Sequence, residues 1–124
     1  MIELELIGAP EELRAPAEAA LRAAGVEDGH LAVTVVGEDE MRMLNREHRE
    51  RDSPTDVLSF PVDELGASAG PRELGDVVIC PEHTSDMTEA VVHGVLHLCG
   101  YDHERDEGEM LDLQRSVLAG LARP

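Results

Sequence analysis

Half of this chain's six histidines fall within His93-Gly94-Val95-Leu96-His97-Leu98-Cys99-Gly100-Tyr101-Asp102-His103. On a helix, positions 93 and 97 lie about 40° apart around the axis and about 6 Å apart along it. Two imidazoles so placed can share one tetrahedral Zn²⁺. Gly100 can adopt a positive φ and end the helix, which lets the chain fold back and offer His103 as a third ligand. Three protein ligands leave a fourth position for water, the arrangement of a catalytic zinc. The expectation is one Zn²⁺ per chain, held by His93, His97 and His103. The apolar residues between them place the site at the edge of the core.

The spacing H-x-x-x-H-x-x-G-x-x-H resembles that of the metzincin proteases, whose general base is a Glu directly after the first His. Gly94 stands there instead, so peptide hydrolysis lacks its proton acceptor. No other residue is an obvious base. Asp76 and Asp102 are both open to that role, or to orienting a histidine from behind the metal, which fits Asp102 better.

A second group of chemically capable residues precedes the histidines. Arg42, Arg46 and Arg49 are spaced i, i+4, i+7 and share one helix face. Their guanidinium groups match phosphate oxygens two at a time, so the face reads as a phosphate-binding patch. Surface ion pairs with nearby acids are the competing reading. His48 stands beside this face. His30 and His83 read as surface residues, Thr55 and Ser59 as satisfying backbone groups near the site. Tyr101 reads as a wedge closing the turn after Gly100, or as a contact to phosphate.

The elements that must position these groups can be read from periodicity. Ile2, Leu4 and Leu6 alternate with Glu3 and Glu5, a half-buried strand. Helices are expected at 10–24, 38–49, 87–99 and 107–121, and further strands at 31–36, 57–60 and 77–80. Asp86 with Glu89, and Asp106 with Glu109, read as capping boxes. Met110, Leu113, Val117 and Leu121 give the last helix its apolar face. The result is one α+β domain spanning 1–124, a four-stranded mixed sheet packed with helices, with the zinc site on a helix and the turn after it.

Composition bounds the rest. The chain of 124 residues carries 27 acids against 10 arginines, with no lysine, for a net charge of −17. So acidic a surface is unusual for a nucleic-acid binder, because phosphate neutralisation supplies much of that affinity. Cys80 and Cys99 sit in apolar runs and read as buried thiols of a reducing cytosol, neither disulfide-bonded nor zinc-bound. No basic, apolar leader and no apolar run of membrane-spanning length is visible. A cytoplasmic protein without membrane contact is expected.

Three segments together resemble the YbeY family of bacterial endoribonucleases. They are H-G-V-L-H-L-C-G-Y-D-H at 93–103, L-N-R-E-H-R at 44–49 leading into P-T-D-V-L-S-F-P at 54–61, and L-G-D-V-V-I at 74–79. Two features differ from the family's pattern. His48 replaces an aromatic residue before the motif arginine, and the stretch 81–92 is shorter by about a helix and a turn. The resemblance implies that Arg49 and His93 serve RNA cleavage, and the shared helix face adds Arg46 and Arg42 as substrate contacts. It also implies single-stranded ribosomal RNA as substrate, maturation of the 3′ end of the small-subunit RNA and ribosome quality control. Implied partners are small-subunit proteins and an Era-type GTPase. A non-catalytic zinc-containing ribosome-assembly factor and a zinc hydrolase of another substrate class are the alternatives.

Overall fold

The computed structural model describes residues 2–50, 52–61, 73–102 and 106–121, with the backbone alone at Arg49. The element order is β1 (Ile2–Ile7), α1 (Arg14–Ala23), β2 (Gly29–Val35), α2 (Glu38–Arg49), β3 (Val57–Pro61), β4 (Glu73–Ile79), α3 (Met87–Leu98) and α4 (Glu109–Leu121). Single 3-10 turns precede α1 at Glu11–Leu13 and α3 at Pro81–His83. The four strands form one sheet in the order β1-β2-β4-β3. β1, β2 and β4 run parallel, and β3 runs antiparallel to β4. This is the expected α+β architecture with a mixed sheet.

Alternation decides which face each strand buries. Leu31 and Val33 of β2 and Val77 and Ile79 of β4 share one face by this rule, and the register shift between β2 and β4 at Leu74 brings that residue to the same side. They pack against Leu13, Ala17 and Leu21 from the α1 side, Val91, Val95 and Leu96 of α3, and Met110 of α4. The opposite face is covered by α2, whose Met41 packs with Val36, Leu58, Val78 and Cys80. Cys80 is a buried free thiol, and Cys99 is partly buried.

β4 begins at Glu73, earlier than expected from its apolar run. Gly75 and Asp76 are part of the strand, paired with Pro61 and Phe60 of β3. No described helix is long and apolar enough to cross a membrane.

Candidate active site

The histidine helix α3 is buried on most of its circumference. Ala90, Val91, Val92, Gly94, Val95, Leu96 and Leu98 are all buried, whereas His93 and His97 are partly exposed along one stripe. Asp86 starts the helix, its Oδ1 accepting from the Glu89 N–H at 3.1 Å.

Gly94 explains how closely α3 can lie on the sheet. A Cβ at this position would come 2.6 Å from Val77 Cγ1 and 3.2 Å from Val57 Cγ2. The Ser59 hydroxyl donates to the Gly94 carbonyl at 2.8 Å, tying β3 to the helix from the same side. Position 94 therefore faces β3 and β4, away from the histidine stripe. A glutamate there would be buried in the sheet and could not act as a base.

The two imidazoles stand edge to face, with ring centroids 4.8 Å apart. Each is anchored through Nδ1. His93 Nδ1–H donates to Gln114 Oε1 of α4 at 2.8 Å, and His97 Nδ1–H donates to the Tyr101 carbonyl at 2.9 Å. The second anchor exists because α3 ends sharply. Gly100 adopts φ +97, its N–H bonds the His97 carbonyl, and the Tyr101 N–H reaches back to the Leu96 carbonyl. With Nδ1 protonated in both rings, Nε2 carries the lone pair, which is the form that binds a metal. The histidine pair thus fits a metal ion. His103, the expected third ligand, lies outside the described residues, and among those described no group of three potential ligands is assembled.

Gln114 escapes a reading by residue type. It lies on the apolar stripe of α4, between Met110 and Val117, and is 9% exposed. A polar side chain at a core position needs a partner, and that spacing was the available signal.

The histidine stripe opens on a cleft of about 970 Å³. α3 forms one wall, β3 with the turn before it another, and Gly100, Tyr101 and Asp102 the end. His48 reaches the cleft from the last turn of α2, its ring packed edge-on against Phe60 at 4.6 Å. Tyr101 packs on the core and also lines the cleft. Asp56, Asp86, Glu89 and Asp102 also line it. Such a wall repels phosphate unless a cation is present, which again fits a metal on the histidines.

The arginines are arranged differently from one uniform patch. Arg42 is held by Asp52 through two bonds, of 2.8 and 3.1 Å, and this pairing lowers the Asp52 pKa from its ordinary value. Arg46 is exposed on the next turn, and neither lines the cleft. Arg49 closes α2, next to His48 in sequence; its side chain lies outside the described residues. Asp76 pairs with Phe60 in the register that faces away from α3, so it is on the wrong side of the sheet to serve as a base. His30 bonds Glu73, and His83 lies 3.6 Å from Glu38, both away from the cleft.

Comparison with known proteins places this geometry. The sequence matches the family Endoribonuclease YbeY over residues 9–122. The chain belongs to that family. An endoribonuclease YbeY of Azorhizobium caulinodans is 42% identical over 124 residues, covering 86% of this chain and 78% of that protein. One of Aquifex aeolicus is 37% identical over 123 residues, covering 86% and 80%. The solution structure of TM1509 from Thermotoga maritima superposes with a TM-score of 0.57 at 30% identity, covering 95% of this chain and 87% of that one. In the Azorhizobium alignment, 86% of this chain is spread over 124 positions, so part of that relative has no counterpart here. In this chain β4 passes to α3 through one 3-10 turn.

Proposed function

We propose that the chain is a zinc-dependent endoribonuclease that cleaves single-stranded ribosomal RNA, working as one hydrolase domain over residues 1–124. The observation that carries this reading is the pair His93 and His97, each fixed through Nδ1, at the floor of an acidic cleft in a family whose relatives are named endoribonucleases. His93, His97 and His103 would hold one Zn²⁺ per chain. A bound zinc would supply Lewis acidity and a water whose pKa is lowered toward about 7.

The chain's own residues do the rest. Gln114 and Tyr101 hold the imidazoles in one tautomer and one orientation. Arg49, at the end of α2, pairs with phosphate oxygens as charge builds on the phosphorane. Arg46 guides the strand toward the cleft from the next turn back. Arg42, although tied to Asp52, adds to the local positive field. The wider role follows the family: 3′-end maturation of the small-subunit RNA and ribosome quality control in the cytoplasm. Small-subunit proteins and an Era-type GTPase would be the partners. A docked partner would also relieve the poor intrinsic attraction between RNA and a chain of net charge −17.

The test compares Arg49→Ala with Arg46→Ala. Loss of Arg49 is expected to lower the cleavage rate by about 10²- to 10³-fold with a small change in RNA affinity, whereas loss of Arg46 should weaken affinity and spare the rate. Unchanged turnover in Arg49→Ala would remove that residue from the chemistry.

A further inference from the structure

The cleft needs a proton acceptor, and position 94 cannot provide one. We propose that Glu89 is that acceptor, a catalytic base for RNA hydrolysis; this rests on the endoribonuclease reading above.

Glu89 lies one turn before His93 and two before His97, at i, i+4, i+8 on the stripe of α3 that faces the cleft. Helical side chains tilt toward the N-terminus, so the His93 ring leans toward the turn that carries Glu89. The residue types alone make Glu89 half of a capping box, its carboxylate spent on the Asp86 N–H. Only the other half forms, with Asp86 Oδ1 accepting from the Glu89 N–H. The Glu89 carboxylate has no hydrogen-bond or ion-pair partner among the described residues, and it is exposed to the cleft.

The other acids are placed for different work. Asp56 Oδ1 accepts from the Val57 N–H at 2.9 Å and from the Thr55 hydroxyl at 3.2 Å, shaping the turn into β3. Asp86 caps α3. Asp102 lies past Gly100, at the far end of the histidine stripe from Glu89. Asp76 is on the opposite face of the sheet. Glu89 therefore lies on the cleft wall one turn before His93, with its carboxylate exposed and not engaged by the described residues.

The step balances simply. A water oxygen attacks phosphorus while its proton passes to a Glu89 carboxylate oxygen. The new P–O bond forms as the bond to the leaving ribose oxygen breaks. That oxygen takes a proton from solvent, and Glu89 returns its own to solvent.

Glu89→Gln keeps the shape and removes the base. The zinc-loaded variant and unmodified chain would be compared on a short labelled single-stranded RNA. The expected result is a cleavage rate lower by about 10²- to 10⁴-fold, with zinc content, melting temperature and RNA affinity retained. Glu89→Ala should be partly rescued by added formate, and Glu89→Gln should not. Cleavage by Glu89→Gln at the unmodified rate would overturn the assignment while leaving the endoribonuclease reading intact. Loss of zinc from Glu89→Gln would overturn it too, by making the carboxylate a metal ligand. No cleavage by the unmodified zinc-loaded chain would overturn the endoribonuclease reading and this proposal with it.

Discussion

His93 of α3 and Gln114 of α4 are joined by a 2.8 Å hydrogen bond across the helix interface, so the last helix sets the tautomer of a histidine it does not carry. Replacing Gln114 with Ala should leave the His93 Nδ1–H without its acceptor and the ring less constrained. Metal affinity, measured by chelator competition, should fall by about 10- to 100-fold. Gln114→Glu keeps an acceptor in the same place and should hold or raise the affinity. Equal affinities in all three proteins would show that the bond has no part in metal binding.

Gly94→Ala tests how closely α3 must lie on the sheet. The added Cβ meets Val77 and Val57, both in elements that cannot move without shifting the sheet. Overpacking of this kind typically costs about 1–3 kcal/mol. Chemical denaturation should show a loss in that range, with weaker metal binding because His93 and His97 flank the displaced position. A variant as stable as the parent would mean that α3 can lift from β3 and β4 without penalty.

The arginine face should behave unevenly. Arg42 is occupied by Asp52, whereas Arg46 is exposed and available. A single strand contributes a slope of about −0.7 in log affinity against log salt for each phosphate neutralised. Arg46→Ala should make the slope shallower by about that amount, and Arg42→Ala by much less. Equal changes would restore a uniform patch.

His30 gives the fold a pH-dependent contribution. It bonds Glu73 of β4 at 2.8 Å and lies 3.4 Å from Glu5 of β1, linking three strands near one end. The hydrogen bond to Glu73 is the main reason its pKa is raised above the ordinary 6.5. The folded state thus holds the proton more tightly than the unfolded one. The stabilisation is fully present below the ordinary value and is lost as pH rises through the raised one. As a partly exposed pair it is worth about 0.2–1 kcal/mol. The stability difference between the parent and His30→Gln should be largest at mildly acidic pH and fade above neutrality. A difference independent of pH would assign His30 a packing role only.

The sequence is most readable where local rules act alone. The i, i+4 histidines, the Gly100 stop and the Asp86 cap each depend on a single turn of chain, and the structure places α3 between Met87 and Leu98 accordingly. The limits of α2, Glu38–Arg49, follow from its acidic start and basic end in the same way. Residues whose roles depend on tertiary contacts were not legible. Gln114 reads as one polar residue in a helix until α4 packs on α3. Glu89 reads as a capping residue until its carboxylate is found unengaged. Asp76 looks available as a base until strand register turns it to the other face. The start of β4 is not legible in the apolar run 77–80, because residues 73–76 join the strand through pairing with β2 and β3.

The central claim is that RNA cleavage by this chain depends on a metal held at His93 and His97. The direct measurement is the cleavage of one single-stranded RNA by three preparations: zinc-loaded protein, the same protein stripped with a chelator and then reloaded, and zinc-treated His97→Ala. Cleavage should be present in the first, lost on stripping and regained on reloading. His97→Ala should bind little zinc and cut no RNA. Cleavage that survives complete removal of metal, or persists undiminished in His97→Ala, would contradict the account.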